Sequence, residues 1–349
     1  MIKTIGILGG GQLGRMLSMA AARLGIKVHI YEPQSAPPAG DVAARVFTAG
    51  YDDLAALREF AESVDIVTFE FENIPAAALD IVEEITPVLP RRNALEVSQD
   101  RITEKQFLQG QGVSVAPFAE VDTLAELQAA LGVVGMPAIL KTRRFGYDGK
   151  GQVKITAPDQ AEAAFAALKG APAVLEQMIP FEREVSIIAA RNANGEVACF
   201  DPGENVHKDG ILHTTTVPAA ISHALQTDAV LLAARVLNAL DYVGVMGVEL
   251  FVTSDGLMVN EIAPRVHNSG HWTQDACLID QFEQHIRAIT GWPLGDGQRH
   301  SDAVMYNLLG DDANDMEKWR NSAIHLYGKA DVKPGRKMGH VNQISSTGA

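Results

Sequence analysis

The chain has 349 residues, which suffices for two or three domains at about 100–200 residues per domain. Acidic residues outnumber basic ones by 43 to 29, and the net charge of −14 disfavours a nucleic acid or an anionic membrane as a partner, so we expect small-molecule substrates. The hydrophobic content of 47% excludes a disordered chain, and the presence of only two cysteines excludes a disulfide scaffold or a paired zinc site and favours a cytoplasmic location.

The first 95 residues are predicted to alternate short strands with helices. We expect strands at 5–8, 28–31, 66–69 and, more briefly, 88–89, with helices at 14–24 and 54–62. Parallel strands need such helical crossovers, so the pattern predicts a Rossmann-like α/β substrate domain at 1–95. No apolar run here or later reaches the roughly 20 residues of a membrane span.

A helix at 94–109 is expected to form most of a helical connector at 96–116. The rest of the chain is predicted to form a small α/β lobe at 117–175 and an α+β lobe at 176–349. Its elements are strands at 138–141, 152–155 and 174–177, a helix at 161–168, hairpins at 185–200 and 245–262, and helices at 227–240 and 281–289.

The segment 9–14 has the spacing Gly-x-Gly-x-x-Gly between a predicted strand and a predicted helix. With Glu32 at the end of the next strand, it fits a dinucleotide site, and therefore an NAD(P)-dependent oxidoreductase. Glycines also allow a backbone to approach any anion at a helix N-terminus, or simply to turn tightly. Gln12 and Arg15 suit a phosphorylated or polar substrate.

The segment 141–152, which we call the lysine loop, is basic and joins two predicted strands. It contains Lys141 and three glycines at 146, 149 and 151. Backbone amides and cationic side chains in such a loop can neutralise a polyphosphate. The alternative is a solvated basic loop without a ligand.

The segment 176–179, Glu-Gln-Met-Ile, follows a predicted strand, and Glu184 comes shortly after it. The backbone of such a linker can contact an adenine edge, and a carboxylate beyond it can accept hydrogen bonds from ribose hydroxyls. The alternative is that Glu176 and Glu184 are ordinary acidic residues on the protein surface.

Glu249 and Glu261 belong to the two strands of the second hairpin. If residues 254–256 form a three-residue loop, Phe251 pairs with Val259 and the two glutamates face each other. Directly opposite residues on paired strands have Cβ atoms about 4.5–5.5 Å apart, and like charges at that distance destabilise the pairing. A divalent cation bound between the two carboxylates would remove the repulsion. Two hard oxygen ligands together with phosphate oxygens describe Mg²⁺ bound with ATP, so we expect a magnesium site.

Polar side chains follow the second of these glutamates at once, in the segment 263–273. Arg265 offers a guanidinium fork to an anion, and Asn268 can orient it by hydrogen bonds. His267 is expected to titrate near neutral pH and to manage a proton. His271 is as compatible with packing or capping as with catalysis.

These features resemble the ATP-grasp superfamily in the lysine loop, the Glu-Gln-Met-Ile linker and the hairpin glutamates. Within it, four strings are similar to the family of 5-(carboxyamino)imidazole ribonucleotide synthases. They are Gly-Gly-Gly-Gln-Leu-Gly-Arg-Met (9–16), Tyr-Asp-Gly-Lys-Gly-Gln (147–152), Ala-Pro-Arg-Val-His-Asn-Ser-Gly-His-Trp-Thr (263–273) and Pro-Gly-Arg-Lys-Met-Gly-His-Val-Asn (334–342).

The resemblance implies an ATP-grasp architecture, with a Rossmann-like pre-ATP-grasp domain, an α/β lid lobe and a C-terminal α+β lobe. It also implies an activity of purine biosynthesis: ATP, bicarbonate and 5-aminoimidazole ribonucleotide give the N-carboxylated ribonucleotide, ADP and phosphate. One or two Mg²⁺ ions and a homodimer are implied as well. Met16, Leu17, Ala20 and Leu24 fit a dimer interface or a core.

The resemblance assigns site residues position by position. Those that match ATP-binding positions are Arg101, Lys141, Gly146, Glu176, Gln177, Met178, Ile179, Glu184, His207, Asn260 and Glu261. Glu249 and Glu261 match the magnesium ligands, and a metal contact by Asn260 stays open because Ala263 stands where many ATP-grasp enzymes have asparagine. Those that match the ribonucleotide site are Tyr147, Asp148, Lys150, Lys329 and Arg336, to which the glycine loop adds Gln12. Arg265, His267 and Asn268 match the bicarbonate site and are the expected catalytic residues.

Three functional alternatives remain beside this ligase. Another ATP-grasp carboxylate–amine ligase would share most of the site. A dehydrogenase would bind nicotinamide and leave the hairpin glutamates unexplained. A non-catalytic nucleotide sensor would not need His267 beside the metal.

Overall fold

A computed structural model describes residues 2–146 and 150–348 of the chain. The N-terminal part is a parallel sheet with the strand order β3-β2-β1-β4, flanked by helices. Its strands are β1 (Thr4–Leu8), β2 (Lys27–Tyr31), β3 (Arg45–Phe47) and β4 (Ile66–Phe69), and its helices are α1 (Gln12–Arg23), α2 (Leu54–Glu62) and α3 (Ala76–Glu83). The predicted alternation is confirmed, although β3 and α3 were not expected. Val88 forms an isolated bridge to Val67 in place of the short strand expected at 88–89.

The helix expected at 94–109 is two helices, α4 (Arg92–Ser98) and α5 (Arg101–Gly110). Asp100 causes the break, because its side chain accepts hydrogen bonds from the amides of Ile102 and Thr103 and so caps α5. An aspartate at this position favours a helix start over a helix interior. Arg143 of the lysine loop holds the same carboxylate at 2.9 Å, which ties the loop to this connector.

The middle part is a sheet with the strand order β5-β8-β6-β7, covered on one face by two helices. It comprises β5 (Phe118–Val121), α6 (Leu124–Val134), β6 (Ala138–Thr142), β7 (Gln152–Ile155), α7 (Ala161–Ala167) and β8 (Ala173–Gln177). Leu127, Leu131, Leu140 and Leu175 are buried between the sheet and the helices. The lysine loop joins β6 to β7 at one end of the sheet.

The C-terminal part is built on a large antiparallel sheet with the order β14-β13-β9-β11-β12-β15-β17-β16, and β10 pairs with β9. Its strands are β9 (Arg183–Arg191), β10 (Val197–Cys199), β11 (Gly203–Lys208), β12 (Ile211–Val217), β13 (Gly244–Thr253), β14 (Gly256–Ala263), β15 (Asp302–Leu309), β16 (Ala323–Leu326) and β17 (Lys337–Ser345). Its helices are α8 (His223–Ala239), α9 (Thr273–Ala276) and α10 (Gln281–Thr290). Both predicted hairpins and both long helices are present.

Glu249 lies opposite Glu261 in the β13–β14 hairpin, which confirms the predicted pairing. The turn that was expected to produce it is wrong. Thr253 pairs with Gly256, so the turn is one residue shorter than the predicted three-residue loop at 254–256.

The shorter turn moves the register by one residue. Phe251 therefore pairs with Met258 rather than with Val259, which pairs with Leu250 instead. A β-bulge between Glu249 and Leu250 then takes up the extra residue, Asn260, and brings the two glutamates back into register. Bulges of this kind redirect side chains and are common beside active sites.

The N-terminal and C-terminal parts share a hydrophobic core. Met16, Leu17 and Ala20 of α1 are buried in the same cluster as Phe282 and Ile286 of α10. Three of the four residues considered for a dimer interface are therefore core residues, and α1 cannot supply that interface with its buried face. None of the described helices is long and apolar enough to cross a bilayer.

Candidate active site

The glycine loop binds carboxylates of the protein itself. The Gly11 and Gly14 amides donate to Glu70 at 2.6 and 3.1 Å, and the Gly10 amide donates to Glu32 at 2.8 Å. Burial raises the pKa of Glu70, and these amide bonds oppose the shift. Glu70 occupies the N-terminus of α1, where a dinucleotide would place its pyrophosphate, so the geometry argues against the dinucleotide hypothesis.

A cleft of about 610 Å³ lies between the glycine loop and the basic segment near the C-terminus. Gln12, Lys329 and Arg336, which were predicted to bind the ribonucleotide, line it together. Lys329 donates to the carbonyl of Lys337 at 2.7 Å, and Arg336 donates to that of Asp331 at 2.8 Å. The cleft therefore brings cationic side chains from far along the chain to the carboxyl end of the parallel sheet.

Other residues considered for the substrate lie elsewhere. Arg15 is paired with Asp41 at 2.9 Å, at the side of α1. Tyr147 and Asp148 lie outside the described residues. Lys150 is exposed in the turn of the lysine loop just after them.

Two lysines converge on one buried carboxylate. Lys141 of β6 and Lys105 of α5 lie 2.9 and 3.2 Å from Oε2 of Glu176, on β8. Burial would raise the pKa of Glu176, but the two lysines lower it below its ordinary value. The cluster carries one net positive charge in a water-poor place, which suits a polyphosphate.

A second cleft lies where α5 meets the end of β14, and Arg101 and Gly146 line it. Arg101 forms an ion pair with Glu261 at 3.0 Å. A Cβ atom at Gly146 would come within 3.3 Å of Thr142 Oγ1 and of the Lys150 carbonyl. The small residue therefore lets the lysine loop close tightly over Arg101.

The linker after β8 uses part of its backbone internally. The amides of Gln177 and Met178 donate to the carbonyls of Pro117 and Pro137, each at 2.9 Å. The Ile179 amide takes no part in the hydrogen bonds found between described residues. Of the predicted adenine contacts, the Ile179 amide and the linker carbonyls are thus the groups that can still bind a base edge.

Glu184 and His207, both predicted for ATP, lie together on adjacent strands. His207 Nδ1 is 2.5 Å from Glu184 Oε2. Burial would lower the pKa of His207, but the hydrogen bond and the charge of Glu184 raise it. This pair can present a cationic donor and a carboxylate to a nucleotide.

The facing glutamates differ in their surroundings. Arg101 holds Glu261, and it lowers the pKa of that carboxyl to about 2 although burial opposes it. Glu249 lies near the Asn260 amide (3.3 Å) and His267 Nε2 (3.4 Å), and burial with the charge of Glu261 raises its pKa to about 7. Glu249 is therefore compensated less than Glu261, because the charge of His207 opposes the rise in its pKa only in part. Among the described residues no group of three or more His, Cys, Asp or Glu forms a metal cluster.

The loop after β14 carries the predicted bicarbonate residues. Arg265 pairs with Glu72, in the loop after β4, at 2.9 Å. Burial raises the pKa of Glu72, and Arg265 opposes the shift. The N-terminal part thus holds the arginine that was predicted to bind the anion.

His267 does not titrate near neutral pH in this environment, contrary to expectation. Burial and the charge of Arg265 lower its pKa to about 3, against the opposing charge of Glu261. Its Nδ1 lies 2.8 Å from Ser269 Oγ, which in turn accepts from Ser186 Oγ at 2.7 Å. The imidazole is neutral and well oriented.

Asn268 has an unusual feature beside these residues. Both polar atoms of its side chain are buried, and neither has a hydrogen-bond partner among the described residues. Buried amides are normally satisfied, so these two atoms are free to hydrogen-bond a small polar ligand.

His271 is a packing residue, which decides between the two alternatives. It is 1% exposed, its ring packs at a tilt against that of His340 with 4.6 Å between the ring centres, and its Nδ1 lies 3.0 Å from the Gln281 amide. Burial lowers the pKa of His271 well below its ordinary value.

Sequence reasoning missed Lys105, Glu70 and Glu72. Glu70 and Glu72 follow β4 directly, and side chains at the carboxyl ends of parallel strands commonly line a site. That rule could have found both. Lys105 lies in the interior of α5 without any local signal, and only the fold shows its contact with Glu176.

Three family models match the chain in order. They describe a ribonucleotide synthetase preATP-grasp domain over residues 2–99, an ATP-grasp domain over 106–282, and a phosphoribosylaminoimidazole carboxylase C-terminal domain over 303–349.

Relatives match over nearly the whole chain. The N5-carboxyaminoimidazole ribonucleotide synthase of Brucella melitensis is 57% identical over 98% of this chain and 96% of its own length. That of Bacillus subtilis is 44% identical over 97% and 90%. A crystal structure of an N5-carboxyaminoimidazole ribonucleotide synthetase with ADP superposes with a TM-score of 0.95 at 41% identity, covering 98% of this chain and 92% of that one. The Aspergillus clavatus enzyme, solved with ADP and 5-aminoimidazole ribonucleotide, gives 0.93 at 33% identity over 99% and 94%.

Proposed function

The chain belongs to the N5-carboxyaminoimidazole ribonucleotide synthase family of ATP-grasp enzymes, and we propose that it carries out that family's reaction. It is an ATP-dependent carbon–nitrogen ligase, which carboxylates 5-aminoimidazole ribonucleotide in purine biosynthesis. The observation that carries this function is the arrangement at the end of β14: the facing glutamates, Arg101, and the Arg265–Asn268 loop lie together beside the lysine loop.

ATP is proposed to lie between the middle and C-terminal sheets. The linker at 177–179 would receive the adenine edge, and the pair of Glu184 and His207 the ribose. Lys141, held by Glu176, would neutralise the polyphosphate together with Arg101. Phosphoryl transfer requires positioning and charge neutralisation more than covalent work by the protein, which is what these residues supply.

Glu249 and Glu261 are proposed to hold one or two Mg²⁺ ions. The fit rests on the donor set: Glu249 faces the carboxylate of Glu261 across the hairpin, and the groups nearest to it are the Asn260 amide and the neutral imidazole of His267. Two carboxylates completed by phosphate oxygens are a normal magnesium environment, and the ion would neutralise charge on the nucleotide.

Bicarbonate is proposed to bind at Arg265, His267 and Asn268. An oxygen of bicarbonate attacks the γ-phosphorus of ATP, the bond to the β-phosphate oxygen breaks, and ADP leaves as carboxyphosphate forms. The nitrogen of the aminoimidazole then forms a bond to the carboxyl carbon, phosphate leaves, and the amine loses a proton. Attack on CO₂ released from carboxyphosphate would give the same product. Neutral His267 can share a hydrogen bond with the anion, and the Asn268 amide can orient it.

The ribonucleotide is proposed to occupy the cleft lined by Gln12, Lys329 and Arg336. The cationic side chains of Lys329 and Arg336 would hold the phosphate of the ribonucleotide, in a chain that is otherwise acidic. Lys150 is proposed to bind it from the lysine loop; Tyr147 and Asp148, also predicted for this substrate, lie outside the described residues. We also propose a cytoplasmic homodimer, with an interface other than the buried face of α1. Light scattering at micromolar concentration tests the dimer, and a monomer mass would refute it.

The reaction is tested by incubating the protein with MgATP, ¹³C-bicarbonate and 5-aminoimidazole ribonucleotide. ADP release should require both co-substrates, and a ¹³C carbamate signal should appear on the ribonucleotide. ADP release without a labelled product would refute the carboxylation. Release that is independent of the ribonucleotide would refute the proposed substrate.

A further inference from the structure

One glutamine side chain satisfies both backbone polar groups of His267. Gln281, the first residue of α10, is 0% exposed. Its Oε1 accepts the His267 amide at 2.9 Å, and its Nε2 donates to the His267 carbonyl at 2.7 Å. Since the acceptor faces an N–H and the donor faces a C=O, the orientation of the amide is fixed. The side chain thus pairs with His267 as a neighbouring strand would.

Two glycines make room for this pairing. A Cβ atom at Gly270 would lie 2.6 Å from Oε1 of Gln281, and a Cβ atom at Gly247 would lie 2.7 Å from Cβ of His267. Contacts that short do not occur, so a side chain at either position would displace the glutamine or the histidine. Gly247 and Gly270 therefore leave the space in which His267 lies between β13 and the start of α10.

The helix that carries Gln281 is itself firmly anchored. Asp280 caps it by accepting from the amides of Phe282 and Glu283. One turn further, the buried His285 accepts from the Val245 amide on β13 at 3.1 Å and contacts Thr68 Oγ1 on β4 at 2.8 Å. A site residue held by a rigid element keeps its geometry better than one held by a loop.

We propose that Gln281 is a positioning residue for His267, and that it aims the imidazole at the bicarbonate site. This inference rests on the role proposed above for His267. Gln281 is fully buried, so it acts through its partners and not by touching substrate; besides His267, its amide contacts Nδ1 of the packing residue His271 at 3.0 Å. With its backbone fixed on both sides, His267 places Nε2 3.4 Å from Glu249 Oε1. Chemistry of this kind is sensitive to displacements of about 1 Å, which can cost about 100-fold in rate.

Gln284 is a matched control on the same helix. It is also 0% exposed, and its amide also pairs with both backbone groups of one residue, Gly295, with two bonds of 2.8 Å. Gly295 lies in the loop after α10, and none of the proposed site residues belongs to that loop. Replacing either glutamine with methionine keeps the length of the side chain and removes two buried hydrogen bonds to the backbone of one residue. The replacement at Gln281 also removes the 3.0 Å contact with His271 Nδ1.

The experiment compares Gln281→Met with Gln284→Met. Both variants should lower the unfolding temperature, and Gln281→Met should lower it somewhat more because it also loses the contact with His271. Gln281→Met should lower kcat for carboxylation about 100-fold while the affinity for a non-hydrolysable ATP analogue, measured by calorimetry, stays within about twofold. Gln284→Met should keep kcat within about twofold of the wild type.

Equal kcat values in the two variants would overturn the proposal. A loss of ATP-analogue affinity in Gln281→Met alone would also overturn it, because the defect would then be a general one of the cleft. If the methionine variant does not fold, Gln281→Glu keeps the acceptor for the His267 amide, and its kcat should fall about tenfold; wild-type kcat in that variant would refute the role. Failure of the wild type to carboxylate would instead refute the proposed function.

Discussion

The substitution Glu249→Gln should stabilise the ligand-free protein and should abolish turnover. Glu249 faces Glu261 across the hairpin, and its carboxyl is neutral up to an unusually high pH because its pKa is raised to about 7. The unfolded chain ionises this group near 4.5. Between these values the folded state binds more protons than the unfolded state, so stability falls as the pH rises.

The magnitude follows from the same pKa difference. A rise in pKa from 4.5 to about 7 corresponds to about 3 kcal/mol, fully lost above pH 7, at about 1.4 kcal/mol for each pH unit. A glutamine side chain resembles the neutral carboxyl but does not ionise, so the variant does not lose this stability as the pH rises. At pH 8 the variant should therefore unfold up to about 4 °C higher than the wild type, for a chain of this size.

Glutamine at position 261 should have the opposite effect on stability. Arg101 lowers the pKa of Glu261, so the ionised form stabilises the fold above the ordinary pKa of a glutamate, and this contribution fades as the pH falls towards about 2. The Glu261 side chain is 37% exposed, so water screens the pair and we expect a loss of about 1 kcal/mol. Both variants should lose nearly all carboxylation, since each removes a proposed magnesium ligand.

The assay is thermal unfolding in EDTA at pH 8, repeated with MgATP, beside a turnover assay. MgATP should raise the midpoint of the wild type and of neither variant. If Glu249→Gln is less stable than the wild type in EDTA, the reasoning about the unbalanced carboxylate is wrong. If either variant retains turnover, the magnesium assignment is wrong.

Three further predictions concern single residues. Arg336→Ala should raise the KM for the ribonucleotide about tenfold or more and leave the KM for ATP unchanged; steady-state kinetics check this, and an unchanged ribonucleotide KM contradicts it. His267→Asn should keep the affinity for an ATP analogue and lose carboxylation, as judged by calorimetry and a product assay; normal carboxylation would remove His267 from the mechanism. Lys105→Met should weaken ATP about tenfold, the effect of about 1.4 kcal/mol, because Lys141 and Glu176 lose their third partner; wild-type affinity in a titration would show that Lys105 is only structural.

The sequence predicted the parts of the site that lie within single motifs. Lys141, Glu176 and the facing glutamates are recognisable from residue type and local spacing. The glutamates were predicted through a turn and a register that are both wrong by one residue, and the bulge at Asn260 cancels the error. Hairpin geometry alone does not reveal such a bulge, because its position depends on what the redirected side chain must meet.

The parts that were missed come from contacts between distant segments. Glu72 holds Arg265, and Lys105 joins Lys141 at Glu176. These partners are far apart in the sequence, and a periodic residue pattern reports only on neighbours within one helix or strand. Burial also changes the chemistry expected of one of the predicted site residues. His267 was expected to titrate near neutral pH, and its enclosure lowers its pKa to about 3. A motif gives the residue type, while the surrounding charges and solvent set its protonation state.

Gln281 and Gln284 show why the remaining assignments need the fold. They stand three residues apart on α10, both are fully buried, and both use their amide to hold the backbone of one other residue. Nothing in their local sequence distinguishes them. One holds His267 and the other holds Gly295, so the same chemistry serves a proposed catalytic loop in one case and a structural loop in the other. The role of each glutamine is therefore a property of its partner, and the partner is known only when α10 has been placed against β13.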